Sequence, residues 1–257
     1  MKILPWIFRK LAPIIKVGKE TLLKAWDLIC TARAMASIYE ENRPIAKYVH
    51  STSKGHEAIQ IATAFHLKNI DYAYPYYRDE SMLLAAGMQP YELMLQLLAK
   101  WDDPFSGGRT YYAHPSLNRP EMVKMPHQSS ATGMQTIPAT GAAHGIKYLE
   151  SQGLITSAEK PIVLCSLGDG SVTEGEVAEA FQMAVLHKLP ILYLIQDNDW
   201  GISASGDEMR AMDAFDYALG FKGMRRLRIN GSDFVQCYDE MEKAIEFVRN
   251  ERAPMLV

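Results

Sequence analysis

Two apolar runs of this chain end in residues able to do chemistry. Residues 161–167 run into Gly168-Asp169-Gly170, and residues 190–196 run into Asp197-Asn198-Asp199. Ligands of open parallel sheets gather beyond the carboxyl ends of the strands. A helix opening just after Gly170 would turn free amides toward an anion, and glycine on both sides of Asp169 would let backbone come close to a phosphate. An acid beside a phosphate is repulsive unless a cation lies between them. Magnesium, which combines a carboxylate with phosphate oxygens, is the natural choice. On the tripeptide alone a tight strand–helix turn is the commoner outcome. The second run shifts the balance. Asn198 offers a neutral oxygen at the end of the neighbouring strand, and the irregular backbone around Trp200 can offer a carbonyl. With two diphosphate oxygens and a water, these would complete an octahedron. The other account of 197–203 is a polar loop.

The elements that must position these residues can be read from periodicity. Residues 161–167, 190–196, 224–230 and 254–257 have the length and apolarity of buried strands. Residues 174–188 and 232–250 read as helices, the second capped by Ser232 or Asp233. This strand–helix–strand alternation predicts an α/β fold: a doubly wound parallel sheet with helices on both faces. The first half is helical. Residues 20–41 carry an apolar stripe of Leu22, Leu23, Trp26, Ile29 and Cys30. Helices follow at 53–67, 78–87 and 90–101, the last two divided by Gly87 and Pro90. Residues 102–134 form a long Gly- and Pro-punctuated loop whose Tyr, His and Met content argues for order and function. Within it His114 and His127 either face a substrate or are simply satisfied or solvated. Residues 1–50 are expected to be an N-terminal helical arm and 51–257 the α/β domain. The chain stops inside an apolar run, which predicts a piece of a longer protein.

The totals narrow the class. The chain has 257 residues, 48% of them hydrophobic and 22% charged, which supports a sizeable core. A net charge of -3 argues against a broad nucleic-acid surface. The 3 cysteines lack metal-ligand or disulfide spacing, which points to a reducing cytoplasm. Pro5, Arg9, Lys10 and Pro13 interrupt the basic, apolar N-terminus, and no run approaches a membrane span.

Gly168-Asp169-Gly170 followed by Asp197-Asn198 resembles the bipartite signature of thiamine-diphosphate enzymes, with Asp197 in place of the first residue of the usual Asn pair. Residues 74–100, "YPYYRDESMLLAAGMQPYELMLQLLAK", look like the Tyr-Arg-acid segment of the α subunits of 2-oxo acid dehydrogenases. Residues 55–62, "GHEAIQIA", resemble an early helix of the same subunits. Residues 129–150 resemble the loop and small-residue helix that close over the cofactor's aminopyrimidine. The Ser129-Ser130 start and residues 107–118 look most like the branched-chain 2-oxoisovalerate type. Residues 225–249 match the family's following strand and helix.

The resemblance implies thiamine diphosphate and magnesium as cofactors. It sets Tyr77, Arg78, Ser130, Gly133, Gly168, Asp169, Gly170, Ser171, Asn198, Trp200 and Ile202 around the cofactor, with Asp169, Asn198 and the Trp200 carbonyl on the metal. It implies oxidative decarboxylation of a 2-oxo acid and transfer of the acyl group to a lipoyl-bearing acyltransferase. The activating glutamate would come from a pyrimidine-binding half, either a β subunit or a fused domain, so no catalytic residue is assigned to this chain. Alternatives are the α subunit of a pyruvate or acetoin dehydrogenase, or a non-catalytic nucleotide-binding domain. Two departures stand out. Gln196 replaces an Arg common in the branched-chain type and forgoes a phosphate contact. Ala131 replaces a Ser, which argues against an ordered potassium ion there. The family's phosphorylatable loop, with its active-site His, would follow the last apolar run.

Overall fold

The computed structural model describes residues 17–48, 51–155, 158 and 160–257; of the segment 1–50 read above as an arm, residues 1–16, 49 and 50 lie outside these. The chain opens with α1 (Lys19–Glu41), α2 (Glu57–His66), the short strand β1 (Tyr72–Tyr74), α3 (Glu80–Ala85) and α4 (Pro90–Leu97). After the long loop come α5 (Thr136–Ser151), β2 (Val163–Gly168), α6 (Gly175–His187) and β3 (Ile191–Gln196). A two-stranded hairpin, β4 (Trp200–Gly201) and β5 (Ala204–Ser205), leads into the short helices α7 (Gly206–Met209) and α8 (Ala214–Tyr217). β6 (Arg225–Arg226), α9 (Phe234–Glu251) and β7 (Met255–Leu256) complete the fold.

Five strands form one parallel sheet in the order β1-β2-β3-β7-β6. The non-consecutive order requires helical crossovers, and these cover both faces as the alternation predicts. Along β2 and β3 successive side chains point to opposite faces. Val163, Cys165, Leu167, Ile191 and Tyr193 enter a core with α5 and α6. Leu164, Leu192 and Leu194 enter a second core with α1, α2, α3 and α9. Asp233, not Ser232, caps α9 by accepting from the amides of Val235 and Gln236. At the opposite end of the sheet, Asp71 accepts from both terminal nitrogens of Arg249 and from the Ile162 amide, which pins α9 to the entries of β1 and β2.

Three sequence expectations need correction. The buried face of α1 is Ala25, Ala32, Met35 and Tyr39, whereas Leu23, Trp26 and Cys30 are exposed. Large apolar side chains encircle this helix, and the face that docks is the one whose alanines let α2 and α3 approach. β1 has no counterpart in the sequence reading, because three residues cut off by Pro75 give no period to detect. The helix read at 174–188 is α6, Gly175–His187, but a 3-10 turn, Asp169–Ser171, stands between it and β2, so its first-turn amides do not follow Gly170 directly. The long loop is ordered. Phe105, Tyr112, His114 and Met125 are buried in it, and Asp103 holds one bend by accepting from the amides of Phe105, Ser106 and Gly108.

Candidate functional site

Strand register creates the site. Gly168 pairs with Gln196 across β2 and β3, so Asp169 emerges beside Asp197-Asn198. On the other side of β2, Tyr74 pairs with Cys165, and the chain leaving β1 delivers Tyr76, Tyr77 and Arg78 to the same end of the sheet. Three adjacent carboxyl ends thus open on a cavity of about 210 Å³. Its wall contains Tyr77, Arg78, Ser130, Gly133, Gly168, Asp169, Gly170, Ser171, Asn198, Trp200 and Ile202, all eleven residues expected around a cofactor. Tyr76, His114, Gln135, Gln196 and Met209 share that wall and were not singled out, apart from His114 and Gln196. His127 is exposed and lies off the cavity.

Asp169 is 3% exposed, and it is met by a residue that no motif singles out. Arg210, just beyond α7, donates from Nη1 to Asp169 Oδ2 at 2.5 Å. Its Nη2 reaches Asp199 Oδ1 at 2.9 Å and Asp197 Oδ1 at 3.3 Å. One oxygen from each of these three carboxylates falls within 4.8 Å of the others. Crowding has the expected effect on Asp197, whose carboxyl is raised by burial and by the charge of Asp169, against a lowering hydrogen bond from the Asp199 amide. Gly206 permits the arrangement, since a Cβ there would lie 1.9 Å from Asp199 Oδ1 and 2.8 Å from Arg210 Nη2. Asn198 Oδ1 accepts from the Trp200 amide at 3.0 Å, which leaves that oxygen a second lone pair. Asp199 and Ile202 take left-handed backbone, φ 60 and 58, on either side of β4. A β-branched residue there stores strain of about 1–3 kcal/mol. The Ile202 side chain is fully exposed at the hairpin tip, so it borders the cavity mouth and does not fill it.

Behind the wall a buried polar network ties the three strand ends together. Gln196 Nε2 donates to Asp79 Oδ1 at 2.6 Å and to Ser166 Oγ at 2.8 Å. Gln60 Nε2 donates to Gln196 Oε1 at 2.8 Å and to the Arg78 carbonyl at 3.1 Å. Asp79 Oδ2 accepts from the Tyr76 amide, and burial pushes the Asp79 carboxyl up to about 6. Gln196 is therefore more than a lost phosphate contact, for it fixes the Tyr76–Arg78 turn against β2 and β3. Arg78 has no ion-pair partner among the described residues, and its guanidinium lies 5.4 Å over the Tyr77 ring. On the far wall, Gly133 (φ +82) abuts Glu174, and its carbonyl accepts from Thr136 at the start of α5. His114 is buried and donates from Nδ1 to the Tyr112 carbonyl at 2.8 Å. Burial lowers its basicity, so the ring is neutral with Nε2 as an acceptor. The carboxylate, amide oxygen and main-chain carbonyls here are the hard donors that magnesium prefers.

No helix among the described residues is long and apolar enough to cross a membrane. In comparison with known proteins, the chain is 33% identical over 208 residues to the 2-oxoisovalerate dehydrogenase subunit alpha of Bacillus subtilis (strain 168), covering 79% of this chain and 59% of that protein. It is 28% identical over 205 residues to the pyruvate dehydrogenase E1 component subunit alpha of Rickettsia bellii (strain RML369-C), again covering 79% and 59%. The chain thus spans about three fifths of these relatives' length. Among solved structures, the transketolase of Campylobacter jejuni subsp. jejuni NCTC 11168 shares its fold, with a TM-score of 0.51 at 21% identity over 77% of this chain and 31% of that one. The model of the family described as "Dehydrogenase E1 component" matches residues 29–257, which takes in the whole sheet and every wall of the cavity. The chain belongs to that family.

Proposed function

We propose that this chain is the diphosphate- and metal-binding half of the decarboxylating component of a branched-chain 2-oxo acid dehydrogenase. One observation carries the proposal. Arg78, with no ion-pair partner among the described residues, stands with Tyr77, a buried Asp169 and Asn198 at the ends of three neighbouring parallel strands around one cavity. When bound, thiamine diphosphate supplies the electron sink for carbon–carbon cleavage beside a carbonyl. The chain's own residues hold and orient it. The Arg78 fork and Tyr77 bind the diphosphate. Asp169, Asn198 and the Trp200 carbonyl hold magnesium. Ser130, Gly133, Gly168, Gly170 and Ser171 line the remaining wall. Neutral His114 offers a lone pair that can accept a substrate hydrogen bond without adding charge.

The activating carboxylate is assigned to a pyrimidine-binding half, a β subunit or a fused domain, and the acyl group passes to a lipoyl-bearing acyltransferase. The free cysteines Cys30, Cys165 and Cys237 fit a cytoplasmic location. Branched substrates are favoured by the 33% identity to a 2-oxoisovalerate dehydrogenase subunit. Likeness to a pyruvate dehydrogenase subunit supports the second reading. A panel of 2-oxo acids with a dye acceptor, run on the assembled protein, separates them. Preference for 2-oxoisovalerate is expected, preference for pyruvate selects the second reading, and no turnover of any 2-oxo acid rejects both.

A further inference from the structure

Tyr76 is buried, 4% exposed, on the cavity wall, and its hydroxyl makes no hydrogen bond of good geometry among the described residues; the neighbouring Arg78 guanidinium is a donor and cannot accept its proton. Three other buried polar atoms share that state, on Glu80, Gln128 and Arg252, and none of those residues lines the cavity. A hydroxyl taken out of water without a partner is costly, so a fold keeps one in such a position at a loss unless something fills it. The ring is well held. Its amide is bonded to Asp79 Oδ2 at 3.0 Å, and its face meets the Tyr77 ring edge-on at 4.8 Å between centroids. A methyl group added to Gly168 would sit 3.5 Å from the Tyr76 ring and 3.8 Å from its oxygen. The hydroxyl therefore stands where β2 ends, one residue before Asp169.

Burial, and then the charge of Asp79, push the phenol well above its ordinary value, so it stays protonated and lacks an acceptor. The acceptor must enter from the cavity, next to a guanidinium that also lacks an anion. We propose that the Tyr76 hydroxyl donates to a diphosphate oxygen of the cofactor, as a neutral third donor beside Tyr77 and Arg78; this rests on the function proposed above.

Tyr76→Phe removes the oxygen and keeps the ring, which makes two opposite effects readable. Without cofactor, the variant's Tm should equal or exceed that of the wild type, because an unsatisfied group has gone. With magnesium present, calorimetry on the assembled protein should show thiamine diphosphate bound about tenfold more weakly. Inorganic pyrophosphate should lose affinity alike, and thiamine without phosphate should not. Unchanged affinity for thiamine diphosphate would overturn the proposal. So would a lower Tm without cofactor, which would reveal a partner for the hydroxyl in the free protein. An equal loss for thiamine would move the contact off the diphosphate and also overturn it. Wild-type protein that binds no thiamine diphosphate would reject the parent reading, and this one with it.

Discussion

Asp169 shows what a single side chain is asked to do here. It is buried in an acidic neighbourhood, and Arg210 is bonded to it. Asp169→Ala should cut magnesium-dependent binding of thiamine diphosphate about 100-fold or more by calorimetry, through loss of a charged ligand. Asn198→Ala should cost less, since water can replace a neutral oxygen. Arg78→Lys should weaken the cofactor by about 1.5–3 kcal/mol, because a point charge cannot copy a forked donor; unchanged affinity would remove Arg78 from the site. Glu80 sets a pH dependence that owes nothing to the cofactor. It is fully buried and bonded by Tyr112, and burial pushes its carboxyl up to about 7 from 4.5. Between those values the folded state holds a proton that the unfolded chain has released. Stability therefore falls as pH rises from about 4.5 to 7, by on the order of 3 kcal/mol. Denaturation midpoints at pH 5 and pH 8 should differ in that direction, and Glu80→Gln should flatten the difference.

Elements, more than residues, decided how much of this was visible beforehand. The long apolar periods of β2, β3, α6 and α9 could be read directly, since each is buried over its whole length or along a clear stripe. Asp169 and Asn198 could then be placed at strand ends by counting. β1 could not be read, although it alone explains why Tyr77 and Arg78 stand beside Asp169; its pairing with β2 joins residues far apart in sequence. The hairpin and α7 were equally hidden, being held by non-local bonds from Arg210 and by left-handed Asp199 and Ile202, not by propensity. Gly206→Ala tests that construction. The added methyl must part Asp199 from Arg210, so the hairpin–α7 segment should lose about 2 kcal/mol of local stability. Hydrogen exchange across 197–212 should quicken while β2 and β3 stay protected.

At the scale of the whole molecule, two cores clamp one sheet and leave its carboxyl edge open. Around the cavity mouth Trp200, Ile202 and Met209 are all exposed. Such a patch fits the pyrimidine-binding half proposed above. The chain by itself should bind thiamine diphosphate weakly and turn over no 2-oxo acid, and adding the matching half should restore both. Trp200→Arg should weaken that association, measured by sedimentation, while Trp26→Arg on α1 should not. Robust decarboxylation by the chain alone would overturn the division of labour. The ion pair at the bottom of the cavity adds a kinetic consequence. Arg210 holds only Oδ2 of Asp169, so a divalent ion arriving on Oδ1 meets the guanidinium's charge across one carboxylate. Magnesium loading should therefore be slowed by that charge, and followed by stopped flow it should quicken in Arg210→Gln.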